Sequence, residues 1–151
     1  MSKLLLITAM LSLASPAFAE ESIHDVKVWF DTKKAPVSFD YQFSDQTTIN
    51  LYDYAQHDAA DEALNQHLNI SYGTDIKANE EMAKQAFNDF VNSDGYKAVQ
   101  KKYEAFAKAI ETSEKYQVTK APTVVINDKY KVVGVNSISK AVRIFNEKVN
   151  P

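Results

Sequence analysis

The 151 residues include no cysteine, and this absence removes more chemistry than any residue present supplies. Without a thiol there is no thiolate nucleophile, no disulfide and no cysteine metal ligand. Histidines, serines and paired carboxylates remain. His57 lies beside Asp58 and close to Asp61, the nearest approach to a metal-binding group. His67 is ten residues further on, and His24 stands apart next to Asp25. Zinc sites draw ligands from close helical spacing or from two tight clusters, so this pattern predicts no metal. The pairs Asp58 with Asp61 and Glu80 with Glu81 read as charges in the first turns of helices rather than as an acid–base couple. The serines offer no plausible nearby histidine–aspartate constellation in sequence, although such triads assemble in space. With three glycines in all, the chain has no glycine-rich phosphate loop. These features predict no catalytic residue, no metal and no cofactor, and point to a protein that binds rather than one that catalyses.

The elements that would position such residues begin after a leader. Lys3 opens a short basic region, Leu4 to Ala14 is apolar, and Ser15-Pro16-Ala17-Phe18-Ala19 ends in small, any, small. That is the pattern of a signal peptide over residues 1–19 cleaved after Ala19, with a membrane anchor as the alternative. The apolar run is short for a membrane span. The mature chain, 20–151, is then 132 residues, one domain of ordinary size. Without Lys3 it carries 16 basic against 20 acidic residues, a net charge of −4. Nucleic-acid binders show a clustered basic patch, which is missing here. The expectation is an exported, periplasmic protein with no stable membrane insertion.

Val26-Lys27-Val28-Trp29-Phe30 predicts a strand with Val26, Val28 and Phe30 on one face. Asp31 to Pro36 is a loop or a helix start. Val37 to Gln46 is a short strand or an irregular segment, and Thr47 to Tyr54 is a second strand. Helical spacing follows over Asp58 to Leu68. Asn79 is expected to cap a helix whose inward positions include Met82, Ala83, Ala86, Phe87, Phe90 and Val91. Ser93-Asp94-Gly95 interrupts or bends it. Tyr96, Val99, Tyr103, Phe106 and Ile110 then step along one stripe. Val124, Val125 and Ile126 suit a strand covered on both faces, followed by a break at Asn127-Asp128 and a second strand to Gly134. Asn136 or Ser137 caps a last helix with Ile138, Ala141, Val142, Phe145 and Val149 facing inward. Tyr41, Phe43, Tyr52 and Tyr54 form either core or an exposed aromatic contact surface.

Pro122 sits just before the buried strand. It either starts that strand or occupies a fixed turn, cis or trans. The ending of strand, hairpin, strand and helix behind Ala121-Pro122-Thr123, with Gly134 closing the last strand, resembles the C-terminal half of the thioredoxin fold. The resemblance implies an α/β fold with a central sheet of about four strands, an enlarged helical insertion between the second and third, and a C-terminal helix. The chain departs from that pattern in one respect: thioredoxins place a long helix after the first strand, and with only Asp31 to Gln46 available here that helix is very short or missing. In redox members the reactive pair would fall near Asp31 to Pro36. Those residues cannot form a mixed disulfide, so this chain alone has no thiol–disulfide exchange.

A narrower resemblance covers most of the mature chain. Val26-Lys27-Val28-Trp29-Phe30-Asp31-Thr32, Leu51-Tyr52-Asp53, Ala121-Pro122-Thr123-Val124-Val125-Ile126 and Val132-Val133-Gly134-Val135 are similar to a family of small exported proteins of integrating conjugative elements. In that family the tail usually reads Pro-Ala-Val-Val-Phe, then Val-Tyr-Gly-Val; here Thr123 replaces the alanine and Val133 the tyrosine. F-type pilus-assembly proteins with a thioredoxin-like domain end similarly. The resemblance implies a binding or scaffolding role in conjugative transfer, within a type IV secretion apparatus and among its envelope proteins. The alternative is a cysteine-free periplasmic chaperone or peptide-binding protein unrelated to conjugation. What survives without sulfur in a thioredoxin-like fold is the peptide-facing edge. It would fall to Ala121, Pro122 and Thr123, with Lys33 and Lys34 placing positive charge at its rim for an acidic segment. The competing reading makes Pro122 a fold-defining turn and the lysines solvated.

Overall fold

The computed structural model describes residues 21–149 apart from 69 and 72, and the leader expected at 1–19 lies outside them. The fold is mixed α/β. In chain order it has β1 (Asp25–Phe30), β2 (Thr48–Asp53), α1 (Gln56–His67), α2 (Ile76–Val91), α3 (Asp94–Lys115), β3 (Thr123–Ile126), β4 (Tyr130–Val133) and α4 (Ile138–Val149). The strands form one sheet in the order β2-β1-β3-β4, with β1 parallel to β2 and antiparallel to β3, and β3 antiparallel to β4. No helix among the described residues is long and apolar enough to cross a membrane.

Both faces of the sheet are covered at β1 and β3, which is why these two strands are almost wholly buried. Val26, Val28 and Phe30 share one face with Val124, Ile126 and Val132, against Ile138, Ala141, Val142 and Phe145 of α4. On the other face Trp29, fully buried, stacks on Tyr52 with ring centres 4.8 Å apart and donates its indole N–H to Ala109 O of α3. A third cluster, Ala60, Phe90 and Val99, joins α1, α2 and α3.

The hairpin turns on Asn127 and Asp128, at φ 54° and 58°, a left-handed conformation that Asn and Asp tolerate better than most residues. The Asn127 amide also holds the start of β1. Its Oδ1 accepts from the N–H of His24 and of Asp25, and its Nδ2 donates to Ser22 O.

The expected elements are present. Residues 31–46 hold no helix, one of the outcomes expected there, and 37–46 is the irregular alternative apart from one bridge between Ser38 and Ser137. Several other positions differ from expectation. Asp75, not Asn79, caps α2, accepting from the N–H groups of Lys77 and Ala78. Asn79 lies inside the helix and clamps Gly73 through that residue's N–H and C=O. Met82 and Phe87 are exposed because α2 meets only part of α3, and Phe90 is its one buried residue. Ser93 accepts from the Tyr96 N–H and so starts a separate helix rather than a bend. In α3 the buried line runs through Val99, Ala109 and Ser113, leaving Tyr96 and Ile110 outside. The aromatic group splits between the faces: Tyr52 and Tyr54 pack with Trp29, while half-buried Phe43 lies under exposed Tyr41 on the α4 side.

Candidate functional site

The antiparallel register pairs Trp29 with Thr123, so the turn after β1 and the segment before β3 meet at one end of the sheet. The turn is short and fixed. Asp31 and Ala35 exchange backbone hydrogen bonds, and the Asp31 carboxylate accepts from the N–H groups of Lys33 and Lys34, both at 2.8 Å. Asp53, at the end of β2, accepts from the Thr32 N–H and hydroxyl, from the Ala55 N–H and from the Gln56 side chain. Two aspartates therefore lock the loop that follows β1. They were read from sequence only as loop and strand residues.

Lys33 and Lys34 stand at the rim with their charges engaged. The Lys33 ammonium is 3.8 Å from Glu62 and that of Lys34 is 3.5 Å from Asp58, both acids on α1. The rim is of mixed sign rather than simply positive. Exposed pairs like these are worth about 0–1 kcal/mol and exchange readily.

The Ala121–Pro122 peptide is cis. Ala121 and Pro122 are half-buried, whereas Thr123 is 1% exposed and sits in the ladder between Trp29 and Val133. Its hydroxyl donates to Lys120 O, and Pro122 O accepts from the Gly134 N–H at 2.7 Å. Among the described residues, the N–H groups of Thr119, Lys120 and Ala121 have no hydrogen-bond partner. These unpaired donors, with a bend at Lys120–Pro122, form the open backbone edge beside the end of β3. Of the five residues expected at this site, the structure brings Ala121 and Pro122 to the edge, turns Thr123 inward and places Lys33 and Lys34 on the neighbouring turn.

The histidines fall on separate elements. His57 packs edge-on to Phe106, with Nδ1 3.4 Å from an Asp61 oxygen. Tyr103 donates to Asp61, and this bond raises the phenol's pKa. His67 lies on Phe90. No group of three or more His, Asp or Glu able to hold a metal occurs among the described residues.

Sequence reasoning missed an ionic cluster at the other end of the sheet. Lys27, 9% exposed on the α3 face, donates to Asp25 and, at 2.6 Å, to Asp128, and lies over the Tyr116 ring. Tyr116 donates to the same Asp128 oxygen. Burial alone would lower the Lys27 pKa, but the bonds to Asp128 and Asp25 outweigh it and hold the ammonium above the usual lysine range. The bond from Lys27, with that from Tyr116, lowers the Asp128 carboxyl. A lysine inside a strand that is otherwise apolar was the available signal, since a buried cation needs an acidic partner.

The profile of a family described as a protein of unknown function (DUF1525) matches residues 23–148. The chain belongs to this family. The match runs from just before β1 almost to the end of α4, so the edge at Thr119–Ala121 and the locked turn both belong to the DUF1525 domain. No curated protein and no solved structure matches the chain.

Proposed function

We propose that this chain is a redox-inactive, thioredoxin-like periplasmic protein of an integrating conjugative element, which binds an extended segment of an envelope protein of the transfer apparatus. The observation that carries the reading is the run of unpaired backbone N–H groups at Thr119, Lys120 and Ala121, beside the end of β3. The thioredoxin-like part is further supported by the β3–β4 hairpin behind Pro122, by Gly134 closing β4 and by α4 after it. The fixed turn at Asp31–Ala35 stands where a redox relative keeps its thiols. With no cysteine in the chain, that half of the site does no electron transfer and the peptide-facing half is left. An added strand gains main-chain hydrogen bonds at the edge, and partner carboxylates can replace those of α1 at Lys33 and Lys34. The conjugative context rests on the sequence resemblance. The same edge would serve a periplasmic peptide-binding chaperone unconnected with transfer.

Deleting the gene from a donor strain separates the two. The transfer reading predicts a fall in mating frequency of at least tenfold, restored by the wild-type gene in trans. An unchanged frequency would refute it and leave the chaperone reading.

A further inference from the structure

The sheet has a second open edge, remote from Thr119–Ala121, and we propose that it is the interface through which two copies of this chain pair. Among the described residues β2 is bonded only to β1. The Thr48 N–H donates to His24 O and that of Tyr54 to Phe30 O. The even-numbered residues of β2 therefore turn their backbone groups toward β1, and strand alternation leaves those of Ile49 and Leu51 pointing away from the sheet.

The side chains agree with the backbone. Ile49 pairs with Val26 and Leu51 with Val28, so both lie on the face that α4 covers further along the sheet. α4 packs on β3 and β4, and no helix follows β1 to cover the β2 half. Ile49 and Leu51 are consequently 46% and 52% exposed, and Phe39, lying against Phe30, is 50% exposed. Edge strands are ordinarily protected from pairing by charge, proline or a bulge. Thr48 to Tyr52 contains neither a charged residue nor a proline.

The occupant follows from the edge itself. An antiparallel partner strand places opposite residues on the same face. A twofold axis through Asn50 sets Ile49 against the partner's Leu51, Thr48 against the partner's Tyr52 and Asp53 against the partner's Thr47. No like charges oppose each other, the outward backbone groups of Ile49 and Leu51 meet their counterparts, and the apolar side chains cover one another. The interface is isologous, as closed dimers require, and joins the two sheets into one of eight strands.

In this register Asn50 faces the partner's Asn50 as a pair without backbone hydrogen bonds, with Cα atoms about 4.5 Å apart, within disulfide range. The absence of native cysteine makes the test clean. Purified Asn50→Cys protein should form a covalent dimer on mild oxidation, and Val133→Cys, on the opposite edge strand, should not. Light scattering of the wild type should give twice the monomer mass. Leu51→Lys should return it to the monomer mass, with an unchanged circular dichroism spectrum, and should abolish the Asn50→Cys cross-link. A monomeric wild type, a dimer that survives Leu51→Lys, or an Asn50→Cys protein that stays uncross-linked would each overturn the proposal.

Discussion

Single side chains decide how the two ends of the sheet are held. Lys27 is the clearest case, because its two carboxylate partners come from β1 itself and from the β3–β4 turn. Breaking a buried pair leaves an uncompensated charge, and since the Asp128 side chain is 59% exposed the cost is discounted to about 2 kcal/mol. Lys27→Ala should lower stability by that amount in urea unfolding, and Lys27→Met by less, because the stem still fills the space beside Tyr116. Asp40 makes the opposite contribution, on the surface at the start of α4. It accepts from the Ser139 N–H, the Ser137 hydroxyl and the Ser139 hydroxyl, which lower its carboxyl to about 2. A depressed carboxyl stabilises the fold above its unfolded pKa, and this contribution is lost as pH falls through the folded value. Wild type should therefore lose stability relative to Asp40→Asn between about pH 4 and about pH 2, and the two should run parallel above pH 5. Lys27 shifts the other way, so its contribution is complete at neutral pH and lost only in strong alkali. Parallel acid limbs for the two proteins would contradict the role given to Asp40.

Among the elements, α2 is the weakest attached. Asp75 caps it well, but it buries only Phe90 and leaves Ile76, Met82 and Phe87 in solvent. α3 buries Val99, Ala109 and Ser113 and packs on both α1 and β2. Local opening free energy follows buried contacts, so α2 amides should exchange with deuterium roughly tenfold or more faster than those in the middle of α3. Equal protection would show that α2 is held by more than these contacts. The same contrast marks what was legible in the sequence. Strands and helices with a full partner, such as β3 and α4, carried their burial in their periodicity. α2 carried an apolar face too, but Met82 and Phe87 were expected inward and lie outside, because periodicity records that a face is apolar and not whether anything covers it. Cap positions were harder still: Asn79 and Asp75 are both good capping types, and only the backbone distinguishes them.

At the scale of the whole molecule, α3 and α4 lie on opposite faces of one sheet, and the open backbone groups lie at its ends and edges. The proline, the loop and the lack of thiols were readable as residues. The locking of that loop by Asp31 and Asp53 was not, because it depends on β1 and β2 being parallel neighbours, a pairing across more than 20 residues. The inward turn of Thr123 and the engagement of Lys33 and Lys34 by α1 were hidden for the same reason. The β2 edge was hidden too, since a missing helix is visible only once the rest of the sheet is assembled.

The central claim is that the backbone at Thr119–Ala121 receives a segment of an envelope partner. A photoreactive amino acid at Lys120, in the protein expressed in mating donor cells, tests it most directly, with Lys97 on α3 as the control position. The account predicts a discrete envelope-protein adduct from position 120 and none from position 97. No adduct at 120, or the same adducts from both positions, would contradict it.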